Sequence, residues 1–172
     1  MKITLITSIL CVGATILVSC NNKDKKHDVG AKANVSTTEK RKNVLENDTI
    51  RVTVNSNDKM QFDKSKIVVG EYSTVVLTLN HTGKMPVTAM GHNFVLLGKG
   101  TQISDFARDA IQAKESQYIP SSQKKNIIAY TDLIGGGETS TITFKAPIKG
   151  TYDFICSFPG HYSIMKGKFI VE

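Results

Sequence analysis

The chain has 172 residues and a net charge of +7, from 22 Lys and Arg against 15 Asp and Glu. This length is typical of one domain of ordinary size with an appendage. Apart from the adjacent Lys124 and Lys125, the lysines of its C-terminal two thirds are scattered singly and do not form a cluster with aromatic residues. That pattern indicates solvated surfaces and argues against a nucleic-acid partner.

Residues 1–19 have the features of an export signal. A single lysine precedes an apolar run that is too short to span a membrane comfortably. Small residues then lead to Cys20, and the ending "LVSC" resembles the lipobox of bacterial lipoproteins. The resemblance implies cleavage before Cys20, which then carries acyl chains and anchors the protein to a membrane. We therefore expect an exported, lipid-anchored protein of the periplasm or cell envelope; an ordinary cleaved signal and an uncleaved anchor are the alternatives.

Residues 20–48 are predicted to form a disordered tether that begins with the lipidated cysteine. From Asn21 onward the segment carries seven Lys or Arg, five Asp or Glu, no aromatic residue and almost no large apolar side chains. Such a composition cannot bury enough apolar surface to offset the entropy of ordering the chain. The folded domain is accordingly predicted to comprise residues 49–172.

The predicted domain alternates apolar and polar residues with a period of two, which is typical of β-strands. This alternation is clearest over 50–54 and 75–79, and turn sequences such as "HTGKMP", "GGGE" and "APIKG" separate the candidate strands. Eight short strands in this length predict an all-β fold, an antiparallel sandwich or Greek-key barrel. The other six candidate strands are 66–69, 92–97, 125–130, 139–145, 151–156 and 166–171.

Residues 101–120 interrupt the strand pattern and predict one short helical insertion. Ser104 is placed to cap the helix, and Pro120 is placed to stop it. We expect one side of this helix to pack on the sandwich. That side carries the apolar residues Phe106, Ala110, Ile111 and Ala113.

Cys156 is the one cysteine that neither the signal nor the lipid anchor accounts for. Exported proteins normally pair their cysteines, so an unpaired cysteine calls for another role. Cys156 shares a strand face with Phe154, which places its sulfur at the inner end of a strand. The following "SFPG" leaves the strand, because proline cannot donate to a ladder and glycine allows a tight reversal. This loop can bring His161 back over the sulfur, with Met165 at the start of the last strand.

A thiolate, an imidazole and a weak thioether favour copper, whereas structural zinc usually takes more thiolates or a carboxylate. A blue-copper site needs a second histidine. The chain has four histidines, of which His27 falls in the tether and His81 in a predicted turn. His92 begins a predicted strand and is the best candidate, although a histidine there is also an ordinary hydrogen-bonding residue.

The domain resembles azurin, the bacterial blue-copper protein of the cupredoxin group, over essentially residues 48–172. The loop Cys-x4-His-x3-Met has the azurin length, which distinguishes it from plastocyanin-like relatives. The chain departs from the family in lacking a disulfide near its first strands and in having Tyr130 where azurins often have a histidine. The motifs that carry the resemblance are "NDKMQF" at 57–62, "MGHNFVL" at 90–96, "LIGGGE" at 133–138 and "CSFPGHYSIMKG" at 156–167.

The resemblance implies a cupredoxin-like fold and a site for one copper ion. His92, Cys156 and His161 become the equatorial ligands, Met165 the weak axial ligand, and the carbonyl oxygen of Gly91 faces Met165 from the other side. Further residues match family positions around these ligands. Asn93 ties the two ligand-bearing loops together, Phe158 lies against the site, His81 matches a histidine close to it, and Met90, Pro159 and Gly160 form an apolar patch at the exposed edge of His161.

The function that follows is one-electron transfer by a type 1 copper site, with no bond in a substrate broken and therefore no enzyme activity. We expect His161 and its apolar patch to be the electron port. The expected partners are periplasmic redox proteins, namely cytochromes and copper or haem reductases or oxidases. An apolar patch of this kind suits brief docking.

Other functions use some of the same residues. A copper-storage or copper-delivery lipoprotein is the main alternative, although such sites favour open, Met-rich or His-rich surfaces. A copper enzyme with a second metal needs three more histidines, and only His27 and His81 remain. A Cys-His nucleophile would need an orienting partner and access for its substrate, and a metal-free adhesion domain would leave Cys156 unexplained.

Overall fold

The computed structural model describes residues 48–172. The predicted signal peptide, the predicted lipidation site Cys20 and the predicted tether up to residue 47 lie outside the described residues. In the part of the chain that is described, no helix has the length and apolar character needed to cross a bilayer.

The domain is a sandwich of two β-sheets, which confirms the predicted all-β fold. One sheet has four strands in the order β2-β1-β4-β7, and the other has five in the order β3-β9-β8-β5-β6. The strands are β1 (Thr49–Asn57), β2 (Gln61–Phe62), β3 (Lys66–Val69), β4 (Thr74–His81), β5 (Val95–Leu97), β6 (Ile127–Tyr130), β7 (Thr139–Lys145), β8 (Gly150–Ile155) and β9 (Lys166–Val171).

The period-two pattern of the sequence produces the core between the sheets. In β4, every second side chain from Val75 onward is buried, while the intervening residues from Thr74 are partly exposed. Leu77 and Leu79 are fully buried on the inner face of β4, and Phe154 and Phe169 of the other sheet belong to the same apolar cluster. Burial of one face of each sheet is the main stabilising contribution in such a sandwich.

The sheets are mixed, so the expectation of a purely antiparallel sandwich is wrong. β1 runs parallel to β4, from Thr49 opposite Thr74 to Ser56 opposite His81, and β3 runs parallel to β9. A parallel pair needs a crossover connection, which β2 and β3 supply between β1 and β4. Alternation of apolar residues specifies which face of a strand is buried, but it does not specify the direction of the neighbouring strand.

Two further strand predictions differ from the structure. The two-residue β2 brings the number of strands to nine, and β5 begins at Val95 although the apolar run begins at His92. His92 instead forms an isolated bridge with Ile134. β2 is too short to show a periodic pattern, and the start of β5 is set by its pairing with β8.

The helices are α1 (Val87–Met90), which was not predicted, and α2 (Ile103–Ile111) in the predicted insertion. Phe106 and Ala110 of α2 are buried, as expected. Ser104 does not cap α2, because the cap position belongs to Gln102 and no side chain caps it. Ile111 is 47 % exposed, since it lies five positions after Phe106 and hence well round the helix from the buried face.

Pro120 lies beyond the end of α2. A short 3₁₀ turn at Lys114–Ser116 follows the helix, and a second 3₁₀ segment at Ser121–Asn126 begins immediately after Pro120. The predicted insertion therefore contains one helix and one 3₁₀ turn, and the second 3₁₀ segment lies just beyond it. Together with apolar residues of β5 and β8, the buried side chains of the insertion form a second cluster of Val95, Leu97, Phe106, Ala110 and Ile155 on the outer face of the five-stranded sheet.

Replacing Phe154 by alanine is expected to lower the free energy of unfolding by about 3–5 kcal/mol. The Phe154 ring is fully buried and stacks on Phe94 with ring centroids 4.9 Å apart. Urea denaturation of the metal-free protein, followed by circular dichroism, measures the change. Ile148→Ala is the control, because Ile148 is 65 % exposed and its loss should change stability by less than about 0.5 kcal/mol. Equal effects of the two substitutions would contradict this assignment of the core.

Candidate metal centre

Cys156 directly follows β8, at the point where the chain leaves the core. The loop after it closes on itself through the backbone: the Met165 N–H donates to the His161 carbonyl at 2.8 Å, and the Cys156 N–H donates to the Met165 carbonyl at 2.9 Å. Gly160 has φ of +84°, a left-handed conformation that glycine adopts without steric cost. The loop therefore brings Cys156, His161 and Met165 to one end of the sandwich.

His92 reaches the same end from a different part of the chain. Its backbone N–H donates to the Ile134 carbonyl at 2.9 Å, and the Ile134 N–H donates back at 2.9 Å. The preceding residue must be glycine, because a Cβ on Gly91 would come within 2.6 Å of the Val87 carbonyl oxygen. Gly91 thus lets α1 pack directly on the segment that carries His92.

The predicted equatorial ligands converge on one point. The Cys156 sulfur lies 3.9 Å from Nδ1 of His92 and 3.7 Å from Nδ1 of His161, and the three donor atoms are all within 4.8 Å of one another. The Gly91 carbonyl oxygen is 3.9 Å from the sulfur. Cys156, His92 and Met165 are fully buried, and His161 is 3 % exposed. The structure therefore brings together the donor atoms of His92, Cys156 and His161 with the Gly91 carbonyl beside them, and Met165 is joined to the same loop through its backbone.

A carbonyl of β1 orients the His92 ring. Nε2 of His92 lies 3.0 Å from the Asn57 carbonyl oxygen, and this contact requires a proton on Nε2. The lone pair of the ring is then on Nδ1, which faces the Cys156 sulfur. Hydrogen bonds to the outer nitrogen of a histidine are the usual means of fixing a metal-binding tautomer.

Burial keeps the donors neutral. Desolvation is the main reason that the pKa of His92 is lowered to about 4. The hydrogen bond to Asn57 acts in the opposite direction, and the charges of His81 and His161 lower the pKa further. Desolvation likewise lowers the pKa of His161 and raises the pKa of the Cys156 thiol to about 12. A cation that binds here therefore meets two unprotonated imidazoles and has one proton to displace, from the thiol.

Asn93 connects the two segments that carry the donors. Its side-chain oxygen accepts the backbone N–H of Ser157 at 2.8 Å, and its Nδ2 donates to the Ser157 hydroxyl at 2.8 Å. Both residues are buried. Because Asn93 follows His92 and Ser157 follows Cys156, this pair holds the two donor residues in register, as the resemblance implied.

His81 is a buried strand residue that lies directly beside His92. It is the last residue of β4, is 2 % exposed and stacks on His92 with ring centroids 4.4 Å apart. The Gly83 N–H donates to Nδ1 at 3.0 Å, so Nε2 carries the proton and donates to the Met90 carbonyl at 3.0 Å. The reading of His81 as a turn residue is therefore wrong.

Asp58 supports the same end of the domain, and sequence reasoning missed its role. Its carboxylate accepts the backbone N–H groups of Lys84 at 2.8 Å and Met85 at 3.2 Å. The bond from Lys84 is the main reason that the pKa of Asp58 is lowered. A Cβ at Gly83 would clash with this carboxylate. Asp58 belongs to the "NDKMQF" motif, and this motif is the feature of the sequence that could have identified Asp58.

The predicted port residues lie around His161 with graded exposure. Phe158, Pro159 and Met90 are partly exposed, and Gly160 is exposed. The Phe158 ring packs against the His161 ring with centroids 4.7 Å apart. The partly exposed Phe158 ring thus lies between part of the His161 ring and the solvent.

Comparison with known proteins places this arrangement in a family. A family model for copper binding proteins of the plastocyanin/azurin type matches residues 48–172. The chain belongs to the plastocyanin/azurin family. Azurin from Alcaligenes faecalis is 42 % identical over 120 residues, which cover 67 % of this chain and 93 % of that protein. Azurin from Pseudomonas fluorescens biotype C is 39 % identical over 121 residues, covering 68 % and 94 %.

Another relative is matched over a smaller share of its own length than the azurins are. Outer membrane protein H.8 of Neisseria gonorrhoeae is 40 % identical over 120 residues, which cover 67 % of this chain and 64 % of that protein.

Among solved structures, auracyanin A, a "blue" copper protein of Chloroflexus aurantiacus, has a TM-score of 0.65 at 31 % identity, covering 72 % of this chain and 99 % of that one. The azurin Az-iso2 of Methylomonas sp. strain J has a TM-score of 0.64 at 33 % identity, covering 71 % and 97 %.

Membership in the plastocyanin/azurin family confirms the predicted azurin-like cupredoxin fold and the predicted copper cofactor. The group of His92, Cys156 and His161 fits a single copper ion. Its donor set of one sulfur and two imidazoles is the one that copper sites of this kind use. The protein is accordingly a copper-binding electron-transfer protein of this family.

The metal-free domain is expected to lose stability as the pH falls from about 6.5 to about 4. In that window an unfolded histidine, with its ordinary pKa near 6.5, binds a proton that buried His92 does not bind. The unfolded state is therefore favoured by up to about 1.4 kcal/mol per pH unit for this group. Urea denaturation at a series of pH values measures the slope.

His92→Gln is the control for this slope, because other groups, including Asp58, also titrate toward the acid end. Subtracting the profile of the variant from that of the wild type isolates the contribution of His92. Parallel profiles for the two proteins would contradict the assignment of a buried, neutral His92.

Proposed function

We propose that this protein is a one-electron carrier with a type 1 copper centre. His92, Cys156 and His161 would be the equatorial ligands, Met165 the weak axial ligand and the Gly91 carbonyl a weak contact opposite it. The observation that supports the proposal is the convergence of three buried donor atoms within 4.8 Å. Copper bound there would supply a couple between Cu(I) and Cu(II).

The residues of the chain contribute orientation and exclusion of water. Asn57 holds the His92 tautomer, the Asn93–Ser157 pair keeps the two donor segments together, and burial removes solvent from Cys156. Donors that are held by the fold need little rearrangement when the charge of a bound ion changes. Little reorganisation is the requirement for rapid electron exchange, and electron exchange breaks no bond in a substrate, so we propose that the protein is a carrier and not an enzyme.

The proposed electron port is the edge of His161 with Met90, Phe158, Pro159 and Gly160. His161 is the least deeply buried of the proposed side-chain ligands, and the partly exposed Phe158 ring packs on it. A small apolar surface suits short-lived complexes, which bury little area. The proposed partners are periplasmic cytochromes and copper or haem reductases or oxidases.

We further propose export and anchoring to a membrane of the cell envelope through Cys20. The support is the "LVSC" sequence and the similarity to a protein named outer membrane protein H.8. Residues 20–48 would then be the tether between the lipid and the copper domain.

Addition of Cu(II) to the purified metal-free protein is expected to produce an intense blue colour at one copper per chain. The colour would come from charge transfer between the Cys156 thiolate and copper, so Cys156→Ser should abolish it while Ser163→Ala, in the same loop but exposed, should keep it. Absorption and electron paramagnetic resonance spectra measure the result. Several labile Cu(I) ions per chain without the strong colour would instead support the alternative function, copper storage or delivery.

Replacing Cys20 by serine is expected to move the protein from the membrane fraction to the soluble fraction of the cell envelope. A thiol at this position is required for acylation, and several acyl chains hold a protein far more firmly than one. Cell fractionation followed by immunoblotting measures the shift, and Ser19→Ala serves as the control. Membrane association that persists in the Cys20 variant would contradict the anchor proposal.

A further inference from the structure

A chain of four rings in contact leads from the helical insertion into the metal centre. The Tyr118 ring meets the Phe158 ring edge to face, with centroids 5.1 Å apart and planes at 70°. Phe158 in turn packs on His161 at 4.7 Å, and His161 packs on His92 at 5.0 Å. Contacts of this kind have the spacing at which aromatic pairs attract each other.

The two histidines of the site are held by different means. His92 has a hydrogen bond from Nε2 to the Asn57 carbonyl, which fixes the plane of its ring. Among the described residues, the His161 ring has one hydrogen-bond contact, which joins its Nδ1 to the Cys156 sulfur at 3.7 Å. The orientation of His161 about that contact therefore depends on packing, which the rings of His92 on one hand and Phe158 on the other supply.

The backbone at Tyr118 is in an unusual conformation. Gln117 has φ of 56° and Tyr118 has φ of 63°, so two successive residues other than glycine are left-handed. This conformation is costly for residues with a bulky side chain and persists where surrounding contacts enforce it. Here the Tyr118 N–H donates to the Ala113 carbonyl at 2.9 Å, and the Gln117 carbonyl accepts from Nδ2 of Asn93 at 3.3 Å.

Further contacts join this turn to the site and to the second apolar cluster. The side-chain oxygen of Gln117 accepts the backbone N–H of Leu133 at 2.8 Å, next to Ile134, which bridges His92. The side chain of Tyr118 is partly buried and packs on the cluster formed by α2, β5 and β8. Tyr118 therefore has a firm support on one side and Phe158 on the other.

We propose that Tyr118 is a positioning residue for His161 and acts through the ring of Phe158. The helical insertion is then a support of the copper centre and not only a cover for the outer face of the five-stranded sheet. This inference rests on the proposed function, because it assigns the role of Tyr118 to a histidine proposed as a copper ligand. The ring is required, whereas the hydroxyl group makes no hydrogen bond among residues 48–172.

The test compares Tyr118→Leu with Tyr118→Phe in the full chain loaded with Cu(II). Leucine keeps an apolar side chain but removes the ring face, so copper should dissociate to a chelator roughly ten-fold faster, as when other groups that orient metal ligands are removed. The copper hyperfine splitting and the charge-transfer band should shift as well. Phenylalanine keeps the ring, and all three measurements should remain those of the wild type.

Ser116→Ala separates positioning from general loosening of the insertion. The Ser116 hydroxyl bonds the Ala113 and Ile119 carbonyls in the same turn but does not contact the ring chain. The Ser116→Ala substitution should lower the melting temperature and leave the copper spectra unchanged. The proposal is overturned if Tyr118→Leu lowers only the melting temperature, or if Ser116→Ala shifts the spectra to the same extent.

A double-variant cycle tests the route through Phe158. If Tyr118 acts on His161 only through that ring, Tyr118→Leu combined with Phe158→Leu should be no worse than Phe158→Leu alone. Additive effects on copper dissociation would contradict the route. If Tyr118→Leu folds poorly, Phe158→Leu alone still tests the route, because unchanged copper dissociation in that variant would overturn it.

A measurement on the metal-free protein makes the result independent of the copper chemistry. Proton NMR should show contacts between the ring protons of Phe158 and His161 in the wild type and in Tyr118→Phe, and weaker contacts in Tyr118→Leu. Unchanged ring contacts in Tyr118→Leu would overturn the inference. A wild-type protein that gives no blue colour would instead overturn the proposed function, and the NMR comparison would still decide the role of Tyr118.

Discussion

The pairing of β5 with β8 is the constraint on which the metal centre depends. Val95 lies opposite Ile155 and Leu96 opposite Phe154 in an antiparallel register. Cys156 is the next residue after β8, and His92 is three residues before β5, so this register brings two distant parts of the chain to one point. A slip by one residue would turn the inner faces of both strands outward and separate the donors.

The site is built from polar groups inside an apolar domain, and hydrogen bonds compensate for their burial. His81, His92, Asn93 and Ser157 are all buried, and each has a partner close to the donors. Within residues 48–172, no buried side-chain nitrogen or oxygen lacks a hydrogen-bond partner. Fully satisfied polar networks in a low-dielectric interior hold a single arrangement, because each alternative leaves a group unpaired. The donor atoms are thus positioned by the fold before an ion is present.

Much of the site could be predicted because its signals are local. The residue types and spacing of Cys156, His161 and Met165 lie within ten positions of one another, and a turn with proline and glycine explains why they meet. His92 was the best candidate after elimination among four histidines, and the resemblance to azurin supported the choice, since a single histidine at the start of a strand has several explanations. The hydrogen bond from His92 to Asn57 could not be predicted, because its acceptor is a backbone carbonyl, which every residue has. The burial of His81 depends on a strand partner that the sequence does not specify.

The fold was predictable to the level of the sandwich but not of its connections. Period-two alternation identified the inward faces of β4 and β8 correctly, because burial of one face is what produces the alternation. It did not distinguish parallel from antiparallel neighbours, so the β1–β4 and β3–β9 pairs were missed. In the insertion, the apolar spacing of Phe106 and Ala110 was a sound guide, whereas a serine near the start of α2 proved to be no cap.

β1 joins the two ends of the domain. It starts at Thr49, next to residue 48, and ends at Asn57, whose carbonyl meets His92; its nine residues span about 26 Å. An attachment at residue 48 therefore leaves the metal centre at the far end of β1 from the point of attachment. If the tether is as we propose, a soluble partner could approach the metal centre without meeting the bilayer.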